Sequence, residues 1–237
     1  MFMFYSSITG QPVSDRFANY AKCNGIETEF KKGTTILNEG DIVQHMFYVN
    51  EEWAAHYLDN PSGDSRIASL VGPGRTFGTG PTFDQLPIPV NVRTIQNCKI
   101  YMVTRKDLIQ AMNEDKTFSI EVICNVNARC RSLFESVNFL SNLATPEERI
   151  IYYFLSLLHF SKYKEPMDWY ELPINLSHTQ IGQIIGTSRV TVCQIFNNYK
   201  AEGKIKSSQQ KLFISHELIS HKYCKSLFNN SNLSPHI

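Results

Sequence analysis

The chain has 237 residues, 42% hydrophobic and 19% charged, with 23 Lys/Arg against 22 Asp/Glu for a formal charge of +1. That length holds one large or two ordinary domains, and the composition supplies enough apolar material for a core, which excludes wholesale disorder. The longest nearly apolar run, residues 150–160, falls far short of the roughly 20 residues of a membrane span, so no membrane partner is expected.

The opening MFMFYSSITG has no basic region ahead of its apolar residues, which predicts no export signal and a cytoplasmic protein. Cys23, Cys98, Cys124, Cys130, Cys193 and Cys224 are scattered with no C-x-x-C pair. Neither a zinc ribbon nor a clustered iron–sulfur ligand set is written there, so no metal is expected and most of the thiols read as buried apolar fillers. The near-neutral total hides an asymmetry. Residues 1–142 carry 13 Lys/Arg against 15 Asp/Glu, residues 143–237 carry 10 against 7, and within 172–225 the balance is 7 against 2. A local excess of this kind is the electrostatic footprint that phosphate binding requires.

From residue 30 to 103, short β-rich runs (TTIL, HMFYVN, AAHYL, RIASLV, VNVRTI, CKIYMV) alternate with turn residues such as Lys32-Gly33, Glu39-Gly40-Asp41 and Gly72-Pro73-Gly74. Regularly spaced short strands predict a small antiparallel barrel or roll, with a hairpin tip at residues 60–65. A short helix is expected at residues 105–113 and a long one from Phe118. In the long one Ile123, Val126, Cys130, Leu133, Val137, Leu140 and Ala144 follow a 3-4 spacing, an a/d seam over three heptads that predicts a dimerising helix and hence a homodimer. Cys130, at an a position, would face its twin across a two-fold axis. That permits an intersubunit disulfide or redox role, against a reduced apolar filler in the cytosol.

Thr145-Pro146-Glu147-Glu148 is a helix start with proline at N1 and acidic residues in the first turn, leading into a helix to Ser161 and an extended segment at 169–174. Ser177 with Gln180 forms a capping box, so a helix starts at His178 and presents Ile181, Ile184 and Ile185 on one face. Gly186 is a left-handed stop, and Thr187 or Ser188 caps a second helix that turns Val192, Ile195, Phe196 and Tyr199 inward. Arg189, Thr191, Gln194 and Asn198 then point out, side chains that pair with base edges and phosphates in a major groove. Residues 204–205 and 212–214 flank a polar turn and read as a β-hairpin wing. Catalysis is not expected, since no G-x-S-x-G, no H-E-x-x-H and no phosphate-cradling glycine loop leading into a helix occurs.

This order of parts resembles the Crp/Fnr family of bacterial transcription regulators over residues 15–225. The residues that carry it are Lys32-Gly33 with Ile36, Glu39-Gly40-Asp41, Phe47-Tyr48-Val49, Gly72, Phe77-Gly78, and above all Ile181-Gly182-Gln183, Gly186, Ser188-Arg189, Thr191-Val192 and Ile195. The resemblance implies an α+β chain in three parts: an antiparallel β-roll of the cyclic-nucleotide-binding type with flanking helices at 1–117, a dimerisation helix at 118–144, and a winged helix-turn-helix at 145–237. By resemblance Arg189 donates to guanine, Thr191 and Gln194 approach bases or phosphates, and Ser177, His178 and Ser188 position on the backbone of double-stranded DNA. RNA polymerase is a further partner the family implies. Where the family often has Glu this chain has Val190, which cannot accept from cytosine N4, so the half-site is expected to differ at that base pair.

Cyclic-nucleotide binders of the family use a Gly-Glu loop for the ribose and an Arg-Ser pair for the phosphate. Here the loop reads Gly78-Thr79-Gly80-Pro81 and Ile88-Pro89 takes the place of the pair. A cyclic nucleotide would lack both partners. His45, His56 and His159 read as surface histidines, which neither support nor exclude haem. The loop and Val190-Thr191-Val192 are also similar to the CprK-like halorespiration regulators, which sense halogenated aromatic compounds. That likeness implies a small-molecule effector, or else a redox signal, and puts the effector near Phe77, Gly78, Thr79, Gly80 and Phe83 and the Asn127–Cys130 turn. Two alternatives stand beside this reading: a dimeric ligand-binding module whose helix pair mediates protein contacts, and a cyclic-nucleotide-responsive regulator.

Overall fold

A computed structural model describes residues 8–61, 63–142, 145–161 and 167–220. The chain divides into two compact units, residues 9–133 and residues 134–237 with 1–8, and the division falls inside one long helix.

The first unit opens with α1 (Asp15–Asn24), capped by Ser14, whose side chain accepts from Phe17 N. The roll follows: β1 (Ile26–Phe30), β2 (Thr35–Leu37), β3 (His45–Glu51), β4 (Ala54–Asp59), β5 (Ser65–Val71), β6 (Arg75–Phe77), the short helix α2 (Thr79–Asp84), β7 (Asn91–Thr94) and β8 (Cys98–Thr104). These strands form two four-stranded antiparallel sheets, in the orders β1-β8-β3-β6 and β2-β7-β4-β5. Their inner faces bury Leu37, Phe47, Val49, Val71, Phe77, Val92 and Ile100. Phe47 and Phe77, opposite each other in the β3–β6 register, stack with ring centroids 4.6 Å apart.

The six expected strands are present. The sequence reading did not mark β1, β6 or α1, and it treated Gly78–Pro81 as a plain loop. Gly78 is instead the N-cap of α2, at φ 75°. A Cβ there would stand 2.9 Å from His45 O, so only glycine lets the chain turn this tightly against β3.

After the roll come α3 (Arg105–Glu114) and α4 (Lys116–Asn142), which begins two residues before the expected start. Met46, Tyr48, Val103, Leu108, Phe118 and Val122 make a second core with Phe17 and Ala21 of α1. Val122 is buried on α4, whereas Ile123, Leu133 and Val137 of the a/d seam are 61%, 41% and 63% exposed, Cys130 is exposed, and Val126 is half-buried. The side chain of Leu140, and Ala144, lie outside the described residues.

The second unit contains α5 (Pro146–Ser161), β9 (Trp169–Glu171), α6 (His178–Ile185), α7 (Arg189–Ala201), β10 (Ile205–Ser208), β11 (Lys211–Ser215) and α8 (His216–Ser220). Ile150, Tyr153, Phe154 and Leu157 of α5 are buried, and Phe154 packs its ring 5.7 Å from that of Phe196 on α7. The wing is the sheet β10-β11-β9, so the extended segment after α5 supplies its third strand. Gln209 and Gln210, at φ 48° and 64°, make its two-residue turn, both with the positive φ a type I′ hairpin requires.

The cysteine expectation is corrected. Among the described residues only Cys98 is buried; Cys193 is half-buried and Cys23, Cys124 and Cys130 are exposed, while Cys224 lies outside them. The exposed three lie on the helices α1 and α4. Among the described residues no group of His, Cys, Asp and Glu is placed to hold a metal ion, and no helix is long and apolar enough to cross a membrane.

Candidate nucleic-acid interface and roll cavity

The helix pair is fixed by a chain of local devices. Ser177 Oγ accepts from Gln180 N at 3.2 Å while Gln180 Oε1 accepts from Ser177 N at 3.0 Å, a complete capping box. Helix α6 ends at Gly186 in the left-handed region, φ 68° and ψ 48°. Arg149 of α5, which the sequence did not single out, donates Nη1 to the carbonyls of Ile185 and Gly186 at 3.1 and 3.3 Å. A cation on the last carbonyls of a helix stabilises that end. Of the two hydroxyls offered for the next cap, Ser188 is used: its Oγ accepts from Thr191 N at 3.0 Å. The turn is tight because Gly182 lies against it. A Cβ on Gly182 would meet Thr187 O at 2.7 Å.

This geometry leaves one face of α7 bare. Val192, Phe196 and Tyr199 are buried, and Ile195 is half-buried. Arg189, Gln194 and Asn198 are exposed, Val190 is 64% exposed, and Thr191 is half-exposed with its hydroxyl 2.9 Å from Ser188 Oγ. Ser177 and Ser188 therefore act as caps that also stand at the two helix starts. His178 packs its ring, tilted by 59°, with its centre 4.9 Å from that of Phe196, and burial, then the positive charges of Lys200 and Arg189, lower its pKa. The wing adds Lys206, whose Nζ lies 3.8 Å from the centre of the Trp169 ring, and Lys211, paired with Glu171 at 2.8 Å.

A cavity of about 300 Å³ lies within the roll unit. Phe77, Gly78, Thr79, Gly80 and Cys130 line it, and the other two predicted effector residues do not: Phe83 packs in the second core and Asn127 is exposed. Its apolar wall includes Leu37, Ile88, Val92, Val126 and Leu133. Its polar wall was missed by sequence reasoning and is made by residues far apart in the chain: His56, Ser69, Arg75, Thr76, Asn125 and Arg129. Thr79 Oγ1 donates to Thr76 Oγ1 at 3.2 Å, and Thr76 Oγ1 donates to Asn125 Oδ1 of α4 at 3.0 Å.

His56 corrects the reading of a surface histidine, because the alternation of β4 turns its ring inward. Its Nδ1 is 3.0 Å from Ser69 Oγ and 3.0 Å from Arg129 Nη2, and burial, then the Arg129 charge, push its pKa down to about 3. The ring is therefore neutral at pH 7. With an arginine N–H aimed at it, Nδ1 accepts and the proton is assigned to Nε2. Arg129 Nη2 also donates to Ser69 Oγ at 2.7 Å. Burial lowers Arg129 to about 10. Burial, and then Arg129 itself, lowers Arg75 to about 9, so both remain cations at neutral pH. No carboxylate stands among the described lining residues.

The family model described as "Cyclic nucleotide-binding domain" matches residues 27–115, and the "Crp-like helix-turn-helix domain" matches residues 148–217. The cyclic AMP receptor protein of Thermus thermophilus is 20% identical over 177 residues, 75% of this chain and 78% of that protein. Among solved structures, FixK2 from Bradyrhizobium japonicum is 16% identical, covers 89% of this chain and 98% of its own, and superposes with a TM-score of 0.70. CprK complexed with OCPA is 19% identical over 90% of this chain and 97% of its own, with a TM-score of 0.65. At such identities these likenesses establish the fold, while the two domain matches, in this order, together span more than half of the sequence. The chain belongs to the Crp/Fnr family of DNA-binding transcription regulators.

Proposed function

We propose that the protein is a homodimeric regulator that reads a palindromic operator with two copies of α7 and is controlled by a small molecule held in the roll cavity. The observation that carries it is the bare face of α7: Arg189, Val190, Gln194 and Asn198 are exposed together beside the N-terminus that Ser188 caps. Arginine with glutamine and asparagine on an exposed helix suits direct readout in a major groove, and Ser177, His178, Ser188 and Thr191 stand where phosphate contacts would fix register. Lys200, Lys204, Lys206 and Lys211 supply the charge.

The dimer rests on the a/d seam of α4. Large apolar residues such as Ile123 and Val137, more than half exposed in the single chain, are what a second copy would cover. Two copies would set the recognition helices about one DNA turn apart. A ligand in the cavity contacts both roll strands and α4, so differential binding to two arrangements of that helix would shift their populations. The apolar wall accommodates an aromatic body, including a halogenated one. A cyclic nucleotide keeps one observation in its favour, the Arg75 and Arg129 cations, but among the described lining residues no carboxylate stands ready for its ribose.

Binding of the purified protein to DNA, followed by fluorescence anisotropy as salt is raised, tests this reading. Log affinity falling steeply with log salt, and specific binding lost with Arg189→Ala, is the expected result. Affinity that is flat with salt and indifferent to Arg189 would leave the helix pair a protein-contact surface.

A further inference from the structure

We propose that Arg149 is a specificity-positioning residue: its guanidinium, set on the carbonyl end of α6, holds the turn that aims Arg189 at its base pair. The inference rests on the reading of Arg189 as a base reader and adds a residue that acts through it. Arg149 is the fourth residue of α5, behind a reciprocal cap in which Thr145 Oγ1 accepts from Glu148 N at 3.3 Å and Glu148 Oε2 accepts from Thr145 N at 3.0 Å. The first turn of a helix favours acidic side chains, and Glu147 and Glu148 obey that rule. Arg149 breaks it. Its cation stands against the dipole of its own helix, and its Nε is buried with no hydrogen-bond partner among the described residues. Both features cost stability. What offsets them is the end of the neighbouring helix: Nη1 donates to Ile185 O at 3.1 Å and Gly186 O at 3.3 Å, where carbonyls past the last helical bond carry negative partial charge.

Those two carbonyls form the corner of the helix pair. The chain leaves α6 at Gly186, Ser188 caps α7, and Arg189 is the first residue of α7, three positions after Gly186. Helix α5 also meets α7 through Phe154 and Phe196, with ring centres 5.7 Å apart. Apolar packing of that kind is non-directional and lets one helix turn against the other, whereas a donor shared between two carbonyls fixes both distance and angle. Readout needs that constraint, because a side chain that pairs with a base edge must be held within about 0.5 Å of its productive position. Ile185 is 1% exposed, so water cannot take the place of a lost donor at its carbonyl. Without Arg149 the two carbonyls gain new partners only if the corner moves, and Arg189 moves with it.

The test measures base discrimination by the full chain. The probes are the sequence that the wild type selects from random double-stranded DNA, the same sequence changed at the base pair where Arg189→Ala loses discrimination, and mixed-sequence DNA. Arg149→Met removes the donors and the charge but keeps an apolar stem. It should lower the affinity ratio of the first probe to the second by about fivefold or more. Affinity for mixed-sequence DNA, which reports charge and folding, should change by less than about twofold. Arg149→Lys, which keeps a cation on the carbonyls without the guanidinium geometry, should fall between the methionine variant and the wild type. In an Arg189→Ala background neither substitution should lower the ratio further, because Arg149 acts through Arg189. A loss that is equal on selected and mixed-sequence DNA would make Arg149 a purely structural residue and overturn the proposal. Wild-type discrimination in Arg149→Met, or effects of Arg149→Met and Arg189→Ala that simply add, would overturn it as well. Thermal unfolding checks each variant; should the methionine one not fold, the lysine variant decides, and wild-type discrimination there overturns the proposal. Selection of no sequence, or undiminished discrimination in Arg189→Ala itself, sinks the base reading and this inference together, which sets that failure apart from the others.

Discussion

His56 Nδ1 and Arg129 Nη2 lie 3.0 Å apart, so a strand of the roll and the long helix meet through a neutral imidazole and a buried cation. Protonating the ring would put two positive charges in contact. The folded pKa, about 3, is below the ordinary 6.5, so between those values the unfolded chain binds more protons at this position than the folded one. Stability should therefore rise with pH across that window and be lost on acidification below pH 6.5. Comparing denaturant unfolding of the wild type and His56→Gln at pH 7 and pH 5 isolates the contribution of the imidazole. The wild type should lose about 2 kcal/mol more than the variant. Equal losses would mean that the ring titrates normally.

Gly182→Ala tests the turn between α6 and α7. Its Cβ would sit 2.7 Å from Thr187 O, a backbone atom that cannot rotate away. Overpacking of this kind costs about 1–3 kcal/mol, whereas removing the cap in Ser177→Ala should cost about 1 kcal/mol. Thermal unfolding ranks the two, and an alanine at 182 that costs nothing would mean that the helix pair is looser than described.

Val137→Glu tests the seam. Val137 is 63% exposed in the single chain, so a charge there leaves the monomer's own packing intact but would be buried against its twin in a dimer. Sedimentation should show the variant as a monomer at a concentration where the wild type is dimeric, with DNA affinity lost alongside. A variant that stays dimeric would put the interface elsewhere.

The helix pair was legible in the sequence because its signals are local: Ser177 and Gln180 are three residues apart, and Gly186 and Ser188 act on their own backbone. The strands were legible from alternation and turn residues. The polar wall of the cavity was not. His56, Ser69, Arg75 and Arg129 meet only when two strands, a three-residue strand and a helix converge, and in sequence each reads as an ordinary surface residue. Helix α2 was obscured because Gly78-Thr79-Gly80-Pro81 has the composition of a loop, and the positive φ of Gly78 that starts the helix is set by its closeness to β3. The cysteines misled for the opposite reason. Their type favours burial, but Cys124 and Cys130 stand exposed on α4.

Val190→Glu should restore an acceptor on the second residue of α7 and change the base preferred at one position of each half-site, without altering the salt dependence. Sequencing of sites bound by wild type and variant reads this directly. Identical preferences would mean that the residue at 190 does not reach a base edge.

The central claim is that two copies of α7 read a two-fold operator through Arg189. Selection of bound sequences from random double-stranded DNA, run in parallel with the wild type and Arg189→Ala, tests it most directly. The account predicts a palindrome with half-site centres about 10–10.5 base pairs apart, or a multiple of that, for the wild type, and loss of about 1–3 kcal/mol of discrimination at one base pair in each half for the variant. Enrichment of no sequence, or of the same palindrome with undiminished discrimination after Arg189→Ala, would contradict it.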